Sequence, residues 1–181
     1  MLIESERILI RNWNIEKDTE AVFRMYSHPD VVRFLGRECL KNHQEAQEYI
    51  QRLINHTEGF GGKYGSWAIT ERSNDTLIGN ILLKPIPGKD RILTEQIEIG
   101  WHLARPMWGQ GYATEAAQTM VEHAFETLAL NRLIAVTELE NKASIAVMKR
   151  LGMSSLGPCR DFYDGLLLEV FEMYSYQSVP L

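Results

Sequence analysis

Residues Trp108–Ala116 read WGQGYATEA, and the two glycines one residue apart, Gly109 and Gly111, decide how the rest of the chain is read. They stand between a strand-like stretch and a helix-like one. Glycine populates positive φ at little cost, and a helix that opens from such a loop offers unbonded backbone N–H groups at the positive end of its dipole. That combination suits a phosphate group. The familiar phosphate loops fit poorly. The dinucleotide fingerprint G-x-G-x-x-G/A starts well but meets Thr114 where a small residue is required. The nucleoside-triphosphate loop lacks its closing Gly-Lys-Ser/Thr.

Working outward, Ala113, Ala116, Ala117, Met120, Val121, Ala124, Phe125 and Leu128 recur at helical spacing, with Gln118, Thr119, Glu122, His123 and Glu126 on the other face. Before the glycines, TEQIEIGWHL alternates. Ile97, Ile99, Trp101 and Leu103 share one face of a strand, and Gln96, Glu98, Gly100 and His102 share the other. After the helix, RLIAVTEL is a short apolar strand, and a strand–helix–strand connection of this length predicts parallel pairing. Asn141 to Leu151 predicts a further helix, with Lys149 and Arg150 in its last turn and Gly152 as a left-handed stop. The tail from Met153 predicts a hairpin turned at Asp164-Gly165.

Upstream, ERILIRNW predicts the first strand, and Glu16 to Tyr26 a helix that His28-Pro29-Asp30 stops. Asn42, three residues before Glu45, opens a second helix with Ala46, Tyr49, Ile50, Leu53 and Ile54 on its apolar face. The stretch HTEGFGGKYGS, with Gly59, Gly61, Gly62 and Gly65, reads as a loop, either a connector or a binding loop. SWAIT and TLIGNILLKP read as adjacent strands with a turn at Pro87 to Asp90, an antiparallel meander.

The 181 residues and 45% hydrophobic content predict one domain spanning residues 1–181. A net charge of -5 with interspersed signs gives no basic stripe, which argues against nucleic acid and favours amine-bearing partners. Cys39 and Cys159 form no C-x-x-C, so neither a disulfide framework nor a zinc site is signalled, and reduced thiols in a cytoplasmic protein are expected. No signal peptide or membrane-spanning run is evident. The histidines show no H-E-x-x-H spacing, so no metal is expected.

WGQGYATEA, preceded by IEIGWHL and followed by NKASIAVMKRLGM, resembles the GNAT superfamily of acyl-CoA-dependent N-acyltransferases. More narrowly, it resembles the branch that acetylates the N-termini of ribosomal proteins. The family's loop is a Gln or Arg, two free positions, Gly, one free position, then Gly or Ala. Here it becomes Trp108-Gly109-Gln110-Gly111-Tyr112-Ala113, and Trp108 departs from the superfamily pattern in a way common in this branch. The resemblance also takes in ERILIRNW, the two early helices and the Asn141 helix closed by Leu151-Gly152-Met153, nearly the whole chain. It implies an α/β (α+β) fold: a mixed, largely antiparallel central sheet of about six or seven strands, helices on both faces and a parallel splay between the fourth and fifth strands. It further implies that the amides from Gly109 to Ala113 bind the pyrophosphate of acetyl-CoA, the co-substrate, with the pantetheine arm in the splay beside Trp101, His102 and Leu103. Asn141 matches the family's pantetheine-contacting Asn, and Ser144, one turn on, addresses the same part of the cofactor.

The implied reaction is direct attack of a primary amine on the thioester in a ternary complex. It needs a neutral amine, a stabilised oxyanion and a proton for the departing thiolate. An α-amino group has a pKa of about 7.7–8.0 against about 10.4 for lysine, so an N-terminal acceptor needs less help. Glu98 is the first candidate base, facing away from Ile97 and Ile99 and two residues before Gly100; the alternative is a solvent-facing or ion-paired glutamate. His102 shares its face and titrates in the useful range. The resemblance implies oxyanion binding by a backbone N–H near His102 or Leu103. Where many superfamily members carry a tyrosine acid, this helix reads Val147-Met148-Lys149, and the branch's usual substitute makes Ser144 the proton donor. A helix-surface serine is the alternative.

Tyr163 is a second candidate acid or simply a turn-flanking aromatic, and Asn141 serves equally as an N-cap. Glu115 is explained by the helix dipole. Arg105 and Lys142 are either phosphate partners or ordinary surface charges. The acceptor stays open between a peptide N-terminus and a small amine such as a polyamine, an aminoglycoside or an amino-acid analogue, handled by a monomer or homodimer. The rival is a non-catalytic acyl-CoA-binding module, which would keep Gly109, Gly111 and Asn141 and tolerate loss of Glu98 and Ser144.

Overall fold

The computed structural model describes residues 1–175. In chain order it contains β1 (Leu2–Glu4), β2 (Ile8–Arg11), α1 (Ile15–Tyr26), the short α2 (Pro29–Val32), α3 (His43–Gly59), β3 (Gly65–Glu71), β4 (Leu77–Pro87) and β5 (Leu93–Leu103). There follow α4 (Tyr112–Glu122), β6 (Arg132–Glu138), α5 (Lys142–Arg150), β7 (Ser154–Cys159) and β8 (Leu168–Tyr174). The eight strands are hydrogen-bonded in the order β1-β2-β3-β4-β5-β6-β8-β7. This mixed, mostly antiparallel sheet has one strand more than the upper expectation, because Leu2–Glu4 pairs antiparallel with β2. The parallel pair falls where expected, between β5 and β6. It is registered at a single position, Glu98 opposite Ile134, so the two strands meet at a point and splay.

The described residues divide into two compact units, 1–82 with 101–119 and 83–100 with 120–175. In the first, α1 and α3 begin at side-chain caps. Asn14 accepts the Lys17 N–H at 2.9 Å and Asn42 accepts the Glu45 N–H at 2.9 Å. Glu45 completes its capping box one residue early, on the Lys41 N–H at 2.9 Å. Ala46 and Ile50 of α3 then pack with Val22, Met25 and Tyr26 of α1. Helix α3 runs on through Gly59, where the sequence reads as loop, because the Thr57 hydroxyl bonds the Leu53 carbonyl at 2.9 Å and receives the Ser66 N–H at 3.1 Å.

Within the same unit, the Ala104 N–H donates to the Ile78 carbonyl at 2.9 Å. A Cβ at Gly79 would lie 2.4 Å from Leu103 Cδ2 and 2.5 Å from the His102 carbonyl oxygen. Glycine is required there for close approach of backbone.

In the second unit β6 pairs with β8 from Arg132 opposite Tyr174 to Glu138 opposite Leu168, and β7 flanks β8 through a bulge between Ser155 and Gly157. Ile86, Ile134, Phe162, Leu168 and Val170 form its apolar cluster. The expected helix to Leu128 stops being α-helical at Glu122 and continues as a π turn over His123–Thr127. Helix α5 is capped by Asn141 and ends at Gly152, φ +79°, as the sequence predicts. Gly79→Ala is expected to lower stability by about 1–3 kcal/mol through overpacking, measured by urea unfolding.

Candidate active site

The glycine loop follows a turn of 3₁₀ helix at Arg105–Met107. The Trp108 indole N–H donates to the Leu103 carbonyl at 2.9 Å and the Gln110 amide donates to the Pro106 carbonyl at 2.8 Å, so both side chains brace the loop from its own base. Gly109 and Gly111 have φ of +77° and +86°. A Cβ at Gly109 would meet nothing within 4 Å. Gly109 therefore serves backbone shape rather than crowding, whereas a Cβ at Gly111 would also lie 3.3 Å from Arg7 Nη2; the positive φ of both is the requirement of an amide nest. Among the described residues, no acceptor takes the backbone N–H groups of residues 109–113, and the Glu115 N–H donates to the Gly111 carbonyl at 3.0 Å.

Glu115 anchors that turn to the β1–β2 connection. It accepts from the Ser5 hydroxyl at 2.7 Å, the Arg7 N–H at 2.8 Å and Arg7 Nε at 2.7 Å. Partial burial pulls its pKa upward, yet these donors outweigh it and hold the carboxyl below its usual range. Glu115 is structural, as its place in the first helical turn suggests. Arg7 also donates to the Gln110 carbonyl at 3.0 Å and lies 4.5 Å from the centre of the Tyr112 ring. Nothing in the local pattern of ESERIL singles it out. Arg105 pairs with Asp30 at 3.1 Å, and Lys142 Nζ donates to the Leu139 carbonyl at 2.8 Å, so each has a partner within the protein.

Glu98 is 6% exposed, which rules out the solvent-facing alternative. The Tyr163 hydroxyl donates to its carboxylate. Lys84 Nζ stands 3.9 Å from the same oxygen and 5.5 Å from the centre of the Tyr163 ring. Burial pushes the Glu98 pKa up, while the Lys84 charge and the Tyr163 hydrogen bond oppose the rise. Burial and the adjacent carboxylate push the Tyr163 phenol up as well, so it stays protonated and donating.

The backbone is bent to bring the ring there. Tyr163 and Asp164 have φ of +47° and +61°, a conformation unfavourable for side chains other than glycine. A Gly88–Phe162 bridge and a 2.6 Å hydrogen bond from Arg91 to Asp164 hold it in place. Lys84 was missed in the sequence, although a lysine inside the apolar run ILLKP signals an inward charge seeking a partner.

His102 is half-buried and belongs to a different chain of contacts. The Ser66 hydroxyl donates to Asn80 Oδ1 at 2.5 Å, Asn80 Nδ2 donates to the Tyr26 oxygen at 3.2 Å, and Tyr26 stands 3.0 Å from His102 Nδ1. Which of the two groups donates depends on the tautomer of the imidazole. Trp101 is half-buried beside it and Leu103 is buried.

Asn141 accepts the Ser144 N–H at 3.2 Å and donates to the Thr137 hydroxyl at 2.9 Å. Its capping role is real, and Oδ1 keeps a second lone pair. Ser144 is half-buried in the first turn of α5. The structure thus brings Glu98 together with Tyr163, His102 with Tyr26, Trp108 with Leu103, and Asn141 with Ser144. No group of three or more His, Cys, Asp or Glu able to hold a metal occurs among the described residues, and none of their helices is long and apolar enough to cross a membrane.

Residues 7–154 match the family described as Acetyltransferase (GNAT) domain. The uncharacterized N-acetyltransferase p20 of Bacillus licheniformis is 29% identical over 92% of this chain and 91% of its own. An acetyltransferase (GNAT family) from Bacillus anthracis superposes with a TM-score of 0.78 at 24% identity, covering 96% of this chain and 98% of that one. RimL, the ribosomal L7/L12 alpha-N-protein acetyltransferase, superposes with a TM-score of 0.75 at 17% identity, covering 97% and 94%.

The carboxyl of Glu98 is expected to titrate above the ordinary glutamate range, followed by side-chain carboxyl NMR. Lys84 favours the charged form, so Lys84→Met moves that titration to still higher pH, and Tyr163→Phe moves it the same way. An unmoved titration in both variants would refute the described environment.

Proposed function

The chain belongs to the GNAT acetyltransferase family, and from that premise we propose that residues 1–181 form one domain that acetylates a primary amine, a protein N-terminal α-amino group in particular, with acetyl-CoA as donor. The observation that carries this reading is the buried Glu98 carboxyl, held by Tyr163 and biased toward its charged form by Lys84. A base so placed takes the ammonium proton of an incoming amine, directly or through water. Acetyl-CoA supplies the thioester. With that first proton passed on to solvent, the amine nitrogen bonds the carbonyl carbon, the carbon–sulfur bond breaks, the surplus proton left on nitrogen goes to Glu98 and the sulfur takes a proton to leave as the thiol, so that one proton is released to water overall.

The nest-like loop supports a pyrophosphate role for the amides of Gly109, Gln110, Gly111, Tyr112 and Ala113. Trp108 serves it by bracing. Trp101, His102, Leu103 and Asn141 are assigned to the pantetheine arm, and a backbone N–H near His102 or Leu103 to the oxyanion. The Tyr163 proton is committed to Glu98, which favours Ser144 as the donor to the thiolate and makes Tyr163 a positioning residue. The free, partly buried Cys39 and Cys159 suit a cytoplasmic protein, acting as a monomer or homodimer.

Glu98→Gln is expected to lower kcat/KM by about 10²–10⁴-fold, the usual worth of a general base, and to remove the acid limb of the pH–rate profile. That limb falls as pH drops through the raised Glu98 pKa, because only the carboxylate accepts a proton. Thiol release is the readout, and calorimetry with acetyl-CoA, against ATP and NAD, reports binding separately. Unchanged turnover in Glu98→Gln and Ser144→Ala removes both roles. Tight acetyl-CoA binding with no turnover on any amine supports the non-catalytic module instead.

A further inference from the structure

An open groove of about 460 Å³ lies between α3 and the segment that precedes it, with Arg37, Lys41, Tyr49 and Arg52 among its lining residues. Three carboxylates also line it, and each is engaged locally. Glu38 pairs with Lys41 at 3.4 Å, Glu45 accepts the Lys41 N–H at 2.9 Å, and Glu48 accepts from Gln44 at 3.0 Å. The two arginines are left over. Neither Arg37 nor Arg52 has a carboxylate within ion-pair distance among the described residues, and the polar contact of Arg37 is a long 3.4 Å hydrogen bond to the Glu38 carbonyl.

Both guanidiniums instead face one aromatic ring. Arg37 lies 4.3 Å and Arg52 5.8 Å from the centre of Tyr49, and Arg37 also lies 5.2 Å from the centre of Tyr26. Stacking on an aromatic face limits the rotamers of an arginine while leaving its in-plane N–H donors free to meet a carboxylate. The backbone holds this segment, since the Leu40 N–H donates to the Tyr26 carbonyl at 3.0 Å.

The ring of Tyr26 meets Tyr49 edge-on at 4.9 Å, and its hydroxyl contacts His102, so the groove adjoins a residue assigned above to the cofactor's pantetheine arm. We propose that Arg37 and Arg52, stacked on Tyr49, bind a carboxylate of the amine acceptor, so that the preferred acceptors are amines bearing a nearby carboxylate. This rests on the acetyltransferase reading above. The shared chemistry is the carboxylate, whether it is the α-carboxylate of a free amino acid or an acidic side chain next to a peptide N-terminus.

The test is steady-state acetylation of matched acceptors, with KM corrected for the pKa of each amine. One arm compares leucine with leucinamide. The other compares the amidated tripeptides Ser-Asp-Ala and Ser-Asn-Ala, which separates the two sources. In at least one arm the carboxylate member is expected to have a KM about tenfold lower, as one charge-assisted hydrogen bond provides, and Arg37→Met and Arg52→Met should each shrink that ratio toward one while melting like the parent. Equal KM within both pairs overturns the proposal, and so does a preference that both variants retain. If no amine is acetylated, the functional reading fails by itself. The groove is then read by calorimetry of the same pairs, and equal affinity within both pairs overturns it.

Discussion

Strand β5 is buried on both of its faces over Ile97–Ile99, and this burial constrains the one carboxyl that lies there. Ile97, Ile99 and Leu103 are at most 8% exposed, and Glu98, which points the other way, is just as buried. A carboxyl in such a place raises its pKa or gathers donors, and Glu98 does both, with Tyr163 and Lys84 as its neighbours. His102, half-buried, contacts Tyr26, which joins Asn80 and Ser66, all three buried. Two polar positions on one strand therefore have different chemistry. One carboxylate is held near a charge, and one imidazole is joined to a buried phenol.

The features legible in the sequence were those decided by local chemistry. Asn42 and Asn141 cap helices because a short amide side chain reaches the N–H three residues on, and Gly152 stops α5 because its φ is positive. The alternation of TEQIEIGWHL placed Glu98 and His102 on one face before any partner was visible. What stayed hidden depended on residues distant along the chain. Tyr163 reaches Glu98 across 65 positions of sequence, and Arg7 reaches Glu115 across 108. No periodicity encodes such meetings. The helical continuation through Gly59 was hidden likewise, because the Thr57 hydroxyl draws its second bond from Ser66 in the next strand.

The environment of Glu98 also bears on which amines it can serve. An unshifted glutamate would be a weak base toward any ammonium ion, and a strongly shifted one would be protonated and idle at neutral pH. Burial makes the Glu98 carboxylate more basic, while Lys84 and Tyr163 favour its charged form. The remaining gap to the acceptor is smaller for an α-amino group, at about 7.7–8.0, than for lysine, at about 10.4. On the proposed mechanism, a tempered buried glutamate is therefore better matched to α-amino groups than to lysine side chains. An acceptor carboxylate close to the amine works the other way, since its negative charge raises the amine pKa. Recognition by Arg37 and Arg52 would offset part of that effect by pairing the carboxylate, which raises the fraction of acceptor present as neutral amine.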